Sequence, residues 1–578
     1  MNSDRMSARA VGARRHRAHR SEAAPWDDPA TLRRLSPNRR ARHAISDSAP
    51  PPLDLRLAPA AVGAWAGAFW AIGLGGERPW LPAAVGAAGA MLAAIPLGVA
   101  GARFRPPRHR RDPRPGANAP DGSAIGSVSA SLLVLVLAVA AVLAATAAGS
   151  WARSRDPLTL AAAQERTVIL TGTVTRTPRA TATARWTTVL TTLAVDTVDG
   201  APSRLTATVL GDADWLKVPM GAPVRVQARL RPADSGGAEA AIIGANAAVT
   251  TTGPATGVLG TVASLRDGLI TAVGAEPART NPGSGTRMTW PAGARALVPG
   301  VALGDDHALP TEVREDMRTV SMTHLTAVSG EHVAIVLGLA LTGLGILPRW
   351  ARAGVGALVL VGLVVLVRPD GSVLRAATMG AVMLLGVAAG RRSASLPALC
   401  TGVIVLLLVD PWQARDYGFA LSVLATAGIL LGAAPLTAAL SRRLPRPLAA
   451  GLALPVVAQL ACAPVLVLLR PSVGIWSVAA NVLAAPPVPV ATVCGILAAL
   501  VAPWWPQAAA VIAWPATASC AWLALVARVC ARLPGAALAW PGQLGGALLL
   551  AGIEAAAIAA LYRRGRRRAH APGRRGRL

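Results

Sequence analysis

The chain has 578 residues, of which 53% are hydrophobic and 15% are charged, and its mean hydropathy is +0.47. This composition excludes an ordinary soluble globular protein. Several apolar runs approach the roughly 20 residues that a helix needs to cross a bilayer. The sequence therefore predicts a polytopic α-helical membrane protein.

The formal net charge is +28. Most of this charge lies in arginine clusters beside apolar runs. Such clusters are typical of cytoplasmic loops that follow the positive-inside rule and that contact anionic lipid. Direct contact of the basic tails with nucleic acid is the alternative interpretation.

The first part of the chain is basic and then apolar. Residues 1–56 are rich in Arg, Pro, Ser and Ala, and this composition predicts a disordered basic cytoplasmic tail. Residues 57–150 predict three transmembrane helices, at 58–74, 81–102 and 128–148, with a basic cytoplasmic loop at 103–114. The third helix then ends on the extracellular side of the membrane.

Alternating Thr and Val residues over 161–257 predict a small extracellular all-β domain. Its candidate strands are 168–174, 186–195, 204–210, 224–230 and 241–249. Five short strands at this spacing suit an OB-like barrel. Trp186 and Trp215 could stack on bases, so DNA contact is one hypothesis for this domain and a scaffold role is the other.

Residues 258–322 predict a linker and interfacial amphipathic helices. A helical pattern at 261–273 precedes a Gly/Pro/Ser linker, and the apolar stretch 294–303 is too short to span a bilayer. A further helix begins near Pro310 with acidic residues in its first turns. We expect 294–322 to lie on the outer surface of the membrane.

Residues 323–562 predict the main transmembrane bundle, with arginines on every second connection. The apolar runs are 324–347, 353–367, 371–390, 396–409, 416–433, 448–469, 474–502, 508–532 and 543–562. Together with the first three helices they predict about twelve spans, with both termini and the basic tail 563–578 in the cytoplasm. Three prolines within 474–502 predict a broken or re-entrant helix.

The stretch 324–332 brings polar side chains to the start of an apolar run. If it is helical, His324 and Glu331 share one face and His332 lies beside them. Polar groups in such a run line a water-filled path or hydrogen-bond to other helices. A metal site formed by His324, Glu331 and Asp305 is the alternative.

Other polar residues interrupt the later spans. Gln459 and Asn481 lie within apolar runs, where interhelical hydrogen bonding is the simplest role. Arg375 lies about five residues inside a predicted span, so its guanidinium requires an acid, a phosphate or water. It is therefore a candidate for the wall of a hydrophilic path.

Motifs of soluble enzymes are missing from the sequence. Lys217 is the only lysine of the sequence, and it is followed by Val218. There is therefore no phosphate-binding G-K-[ST] loop, and no built-in ATPase is expected. There is no H-E-x-x-H motif, and Ser329 lacks the first glycine of a G-x-S-x-G elbow. The five cysteines lie in apolar segments without C-x-x-C spacing. We expect no enzyme activity, no metal and no cofactor.

Several short motifs are distributed along the chain. They are 297–300, 303–305, 323–330 with His332 and Val333, Arg375 and Ala376 with Met379, Asp410 and Pro411 leading to 418–422, Gln459 ahead of Pro464, and Asn481 ahead of Pro486. Together they resemble the signature of the ComEC family of competence DNA-uptake channels. The order of three helices, an external OB-like domain and a helical competence region is also similar to that of the family.

The resemblance implies a membrane channel that passes one strand of transforming DNA across the cytoplasmic membrane. The residues that match its motifs would line or shape the path; they are His324, Ser329, Gly330, Glu331, His332, Arg375, Gln459 and Asn481. Glu331 stands where the family often has an apolar or small residue, and an acid does not suit a path for phosphates.

The resemblance also implies partners. Beside single-stranded DNA and the lipid bilayer, it implies a separate DNA receptor, a cytoplasmic translocation ATPase and a nuclease. Many family members carry a C-terminal metallo-β-lactamase-like domain, whereas this chain lacks an H-x-H-x-D-H motif and is expected not to cut DNA by that route. The alternatives are a secondary transporter of another anionic solute or polymer, and a relative that acts as an envelope scaffold.

Overall fold

A computed structural model describes residues 54–74, 122–182, 187–234, 236–244, 249–254, 257–274, 290–291, 293–367, 371–390 and 395–569. The predicted helix 81–102, the basic loop 103–114, nearly all of the basic tail 1–56 and Trp186 lie outside these residues. Helices and a small β domain make up the described part of the chain.

Helices occupy most of the described chain. In chain order they are α1 Ala58–Leu74, α2 Gly122–Arg155, α3 Pro157–Ala163, α4 Gly257–Val273, α5 Ala294–Leu303, α6 Thr311–Thr319, α7 Gly330–Gly343, α8 Arg349–Val367, α9 Gly371–Ala388, α10 Ser395–Val409, α11 Tyr417–Leu440, α12 Arg446–Leu469, α13 Ser477–Ala484, α14 Val488–Val501, α15 Pro506–Arg532 and α16 Gln543–Ala569. Short 3₁₀ turns lie at Ala213–Lys217, Thr323–Leu325 and Pro411–Arg415.

Seven helices of the described residues are long and apolar enough to cross a membrane, or eight when the bent pair α13 and α14 counts as one span. These lengths confirm a polytopic helical membrane protein. Of the about twelve predicted spans, α1, α7 and α10 are shorter than a full crossing, and the predicted helix 81–102 lies outside the described residues. Helix α16 continues to Ala569, so its last turns occupy the start of the predicted tail.

The long helices expose their apolar side chains to different extents. Only 6% of the most apolar window of α11 is buried inside the protein, whereas 56% of that of α15 is buried. Exposed apolar surface on this scale is unfavourable in water and favourable against lipid. Helix α11 therefore lies at the periphery and α15 near the centre of the bundle.

Helix α5 lies at the centre of the largest apolar cluster. It packs against α4, α14 and α15, and its residues from Ala296 to Leu303 are all buried. The prediction of an interfacial helix is wrong for this segment, because an interfacial helix needs one exposed polar face. Its length suits a short helix enclosed by longer ones.

The β domain is a closed five-stranded barrel with three additional short strands. Its strands are β1 Thr167–Val174, β2 Arg179–Ala182, β3 Thr187–Val198, β4 Ala201–Pro202, β5 Thr206–Gly211, β6 Pro223–Pro232, β7 Ala241–Ile243 and β8 Val249–Thr251. The barrel order is β1-β3-β5-β7-β6, and β6 pairs again with β1. Only the β5–β7 pairing is parallel among these. The predicted strands correspond to these five.

Trp215 closes one end of the barrel core. Its side chain is fully buried, and a Cβ at Gly211 would lie 2.2 Å from the indole ring. Glycine at 211 therefore makes room for the indole. Trp215 offers no face to a nucleic-acid base in this arrangement, which contradicts its predicted role in stacking.

Candidate functional site

The start of α7 is organised by Ser329 and His332. The backbone N–H of Ser329 donates to Nδ1 of His332 at 3.1 Å, and the Ser329 hydroxyl lies 3.0 Å from the same atom. The Ser329 side chain in turn accepts from the backbone N–H of His332, so the two residues form a capping box, with histidine in the position that Glu or Gln usually takes. Because Nδ1 accepts a hydrogen bond, the proton of the neutral His332 ring is on Nε2. His332, which is 1% exposed, therefore fixes where the helix begins.

His324 and Glu331 do not share a helical face. His324 lies in the 3₁₀ turn that precedes α7, where its Nδ1–H donates to the carbonyl of Ser321 at 3.1 Å, and α7 begins only at Gly330. The condition for a shared face, a helix that includes all of 324–332, is therefore not met. Both side chains are exposed. An acid in the first turn of α7 interacts favourably with the helix dipole, which accounts for Glu331.

Helix α7 begins beside α9, the helix that carries Arg375. Ser372 donates a hydrogen bond to the carbonyl of Val328 at 3.1 Å, and a Cβ at Gly330 would lie 3.9 Å from Ala376. The latter is an ordinary contact, so the packing does not require glycine there. The structure thus brings the predicted residues at 329–332 and Arg375 onto two adjacent helix starts.

Arg375 is buried and held by the segment 410–416. Its Nη1 lies 3.3 Å from the carboxylate of Asp416 and 3.4 Å from the side-chain oxygen of Gln413. Its guanidinium also lies 5.9 Å from the centre of the Phe419 ring. These groups satisfy the requirement for an acid that the sequence indicated. Met379, Phe419 and Ser422 line a small cavity beside it.

The segment 410–416 also reaches the β domain. The guanidinium of Arg153, at the end of α2, stacks on Trp412 with 5.1 Å to the ring centre and donates to the carbonyls of Gly237 and Glu239 in the loop between β6 and β7. A Cβ at Gly236 would lie 2.7 Å from Arg415. One short segment therefore contacts both the barrel and the buried Arg375.

A second contact between barrel and bundle lies at Asp306. Its carboxylate forms ion pairs with Arg179 of β2 at 2.6 Å and with Arg314 of α6 at 2.8 Å. Asp306 is 12% exposed, whereas Arg179 is 47% exposed. The loop after α5 is therefore attached to the barrel by a partly solvated ion pair.

The neighbouring Asp305 forms a buried ion pair with Arg266. Arg266 of α4 lies 2.9 Å from its carboxylate and also donates to the carbonyl of Leu303, and His307 bonds the other carboxylate oxygen. Burial alone would raise the pKa of Asp305, but His307 and Arg266 hold it below its ordinary value. The Asp305 carboxylate raises the pKa of His307.

This pairing bears on the predicted metal alternative. Asp305 belongs to the α5–α6 loop and faces Arg266, while His324 and Glu331 are exposed near α7. Among the described residues, no group of three His, Cys, Asp or Glu side chains is placed to hold a metal ion. The alternative therefore has no support from the arrangement of these three residues.

Asn481 and Gln459 lie on α13 and α12, two helices that contact each other. Asn481 is half-buried and donates to the carbonyl of Ser477 within its own helix at 2.8 Å. Gln459 is also half-buried. Helices α13 and α14 meet at an angle of 53° across the proline-rich break, as the sequence predicted for a broken span.

Sequence reasoning missed the ion-pair partners. Arg266 was part of a modest helical pattern, and an arginine in an otherwise apolar helix face is the signal that could have identified a buried pair. The roles of Arg153, Arg179 and Trp412 depend on contacts more than 80 residues apart along the chain. No local pattern predicts contacts of that kind.

Comparison with known proteins defines the class of the helical bundle. Residues 301–566 match the model of the family described as Competence protein. This region begins within α5 and includes the helices that carry Arg375, Gln459 and Asn481. It is the domain that the sequence motifs predicted.

One curated relative is the ComE operon protein 3 of Bacillus subtilis (strain 168), with 33% identity over 150 residues. The match covers 25% of this chain and 19% of the relative, so the chain spans about a fifth of that protein in the alignment. No solved structure matches the chain. Together the two matches confirm the predicted resemblance: residues 301–566 are similar to the competence-protein family.

Proposed function

We propose that this protein forms the path by which one strand of transforming DNA crosses the cytoplasmic membrane. One observation carries the proposal: the competence-family match coincides with a membrane bundle that buries polar groups and interrupts a span. Arg375 and Asp416 lie at helix starts, and the break between α13 and α14 leaves backbone groups that only protein or water can satisfy in a membrane. The family match by itself indicates a role in DNA uptake.

The orientation follows from the arginine-rich connections. Arg442 and Arg443 lie between α11 and α12, and the basic end of the chain follows α16, so we place these loops and both termini in the cytoplasm. The barrel is then extracellular. Its strand order and its single parallel pairing support an OB-type barrel.

Five of the eight candidate residues of the path fall into two groups. His324 and Glu331 are exposed before and at the start of α7, where His324 can contact a passing strand directly and Glu331 would repel its phosphates. Ser329, His332 and Arg375 are engaged in helix caps or ion pairs, so they position the helices around the path. Gly330, Gln459 and Asn481 complete the proposed set.

Passage of DNA requires components beyond this chain. The sequence has no G-K-[ST] loop, so we assign the driving force to a separate cytoplasmic ATPase. A DNA receptor and a nuclease would supply the single strand. The protein itself is then a channel and has no cofactor of its own.

The proposal is tested by deleting the gene in a naturally competent host, or by putting the gene in place of the family member of such a host. In the deletion strain, transformation by free DNA should be lost, while DNA still binds at the cell surface and DNA delivered by electroporation still transforms. The electroporation control shows that recombination is intact. Normal transformation by free DNA in the deletion strain contradicts the proposal and favours a scaffold or a transporter of another anionic solute.

A further inference from the structure

Strand β6 carries a row of exposed arginines on the outer face of the barrel. Along this strand Val224, Val226, Ala228 and Leu230 are buried, while Arg225, Gln227, Arg229 and Arg231 are exposed. Alternate residues of a strand lie about 7 Å apart on one face. The three arginines therefore form a line about 20 Å long with one neutral residue in it.

The strands beside β6 bring little opposing charge to this face. Thr171 and Thr250 pair with Arg225, Thr167 pairs with Arg229, and Ile242 pairs with Arg231. Arg229 has an ion pair with Glu165 at 2.9 Å, and both side chains are more than half exposed. Within the part of the chain that the structure describes, Arg225 and Arg231 form no ion pair.

Other outer strands of the barrel differ from β6. On the face shared by β3 and β5, the residues are Thr188, Leu190, Thr206, Thr208, Leu210 and the buried Thr192. None of these is charged, although strands at this position bind oligonucleotides in many OB folds; the charges beside them are Arg179, which pairs with Leu190 and is bound to Asp306, and Asp196. The cationic surface of the barrel thus lies on a different strand.

Each end of the row is followed by a segment that connects the barrel to the helical bundle. After Pro232 the chain enters the loop whose carbonyls at Gly237 and Glu239 bind Arg153 of α2. Arg229 also donates to the carbonyl of Glu165, next to α3 and therefore close to the end of α2. Arg231 is thus next to the loop that contacts α2, and Arg225 lies at the other end of the row, where its partner Thr250 of β8 precedes α4 by a few residues.

We propose that Arg225, Arg229 and Arg231 bind successive phosphates of single-stranded DNA along the outer face of the barrel. The inference rests on the proposed function. Arginines spaced along an extended line match the repeat of a polyanion backbone. A line of about 20 Å suits several successive phosphates of one chain better than separate lipid headgroups, which favours a nucleic acid.

Binding of fluorescent oligo(dT) to the full-length protein in zwitterionic nanodiscs tests the inference. The triple variant R225Q/R229Q/R231Q should bind roughly tenfold more weakly, and its plot of log K against log salt should be less steep by about 2, because each phosphate contact in a single strand contributes about 0.7 to the slope. The variant R442Q/R443Q/R446Q removes the same charge from exposed arginines of the bundle and should bind like the wild type.

Two further variants separate a binding defect from a folding defect. The triple lysine variant R225K/R229K/R231K should retain most of the binding, because the contact is electrostatic. Glu165→Gln removes the counter-charge of Arg229 and should strengthen binding at low salt, which a loss of folding cannot do. An equal loss in both triple glutamine variants, or no loss in either, overturns the inference.

The same variants in cells distinguish this inference from the proposed function. A deletion strain restored by R225Q/R229Q/R231Q should take up less DNA than one restored by the wild type. Equal uptake by the two overturns the inference and leaves the proposed function intact, whereas uptake without the gene overturns the proposed function. If R225Q/R229Q/R231Q binds oligo(dT) like the wild type and differs from it only in binding to anionic nanodiscs, the row binds lipid and the inference is wrong.

Discussion

Arginines of the bundle and of the barrel have opposite surroundings. Arg266 and Arg375 are about 5% exposed. Arg266 lies 2.9 Å from the carboxylate of Asp305, and Arg375 lies 3.3 Å from that of Asp416. Arg225 and Arg231 are exposed on β6, and within the described residues neither has an acidic partner. One residue type therefore serves two purposes in this protein.

This difference in burial and in acidic partners indicates which arginines can bind a ligand. A buried guanidinium is costly to leave without its acid, so it is bound to a single geometry and stabilises the helices around it. An exposed guanidinium costs little to reorient and can exchange water for a phosphate. We therefore expect substitutions in the first set to change stability and those in the second set to change binding.

The largest effect is expected at the Arg266–Asp305 pair. Asp305→Asn leaves the buried Arg266 without its full counter-charge and should lower the free energy of unfolding by about 3–5 kcal/mol. Steric trapping or thermal denaturation in detergent measures this change. Arg225→Gln is the control and should stay within about 0.5 kcal/mol. Similar losses in the two variants would remove the distinction between the two sets.

A smaller effect is expected at the Arg375–Asp416 pair, because the Asp416 side chain is half exposed. The variants Arg375→Gln and Asp416→Asn and their combination form a double-mutant cycle with an expected coupling of about 1 kcal/mol. Asparagine retains the cap that Asp416 provides to the N–H of Phe419, so the cycle reports the charge. Strictly additive variants would show that the pair contributes nothing.

The attachment of the barrel at Asp306 should be weaker still. Asp306→Asn weakens the ion pairs with Arg179 and Arg314, of which the first is largely solvated, and should cost about 1 kcal/mol or less. Hydrogen exchange should increase in β2 and not in β6. Faster exchange throughout the barrel would instead indicate that Asp306 stabilises the domain itself.

The smallest effect is a pH dependence at His307. Its pKa is raised by the Asp305 carboxylate, so its contribution to stability is fully present below the ordinary histidine pKa and is lost as pH rises through the raised value. The pKa of Asp305 is lowered, so its contribution is lost only in strong acid. The apparent Tm should therefore fall modestly from pH 6 to 9, and His307→Gln should remove this slope. An unchanged slope in the variant assigns the pH dependence to other groups.

Patterns with a local cause were predicted well. The strands of the barrel follow alternating Thr and Val, and the break in the span at 474–502 follows from its prolines. The β domain and the polytopic bundle were therefore accessible from the sequence. The ComEC-family motifs added the class of the bundle.

Errors arose where distant contacts override a local pattern. The stretch 294–303 looks like a short interfacial helix, but three other helices surround it. The start of the run 324–347 has a local cause instead, because the Ser329–His332 capping box begins the helix at Gly330. Trp215 is a plausible base-stacking residue by type, and only the barrel core shows that it is enclosed.

Nuclease-resistant labelled DNA inside cells tests the central claim most directly. In a deletion strain restored with the wild-type gene, externally added DNA labelled on each strand in turn should leave one protected strand in the cytoplasm. The same strain with an empty vector should protect none. Equal protection with and without the gene would contradict passage of DNA through this protein.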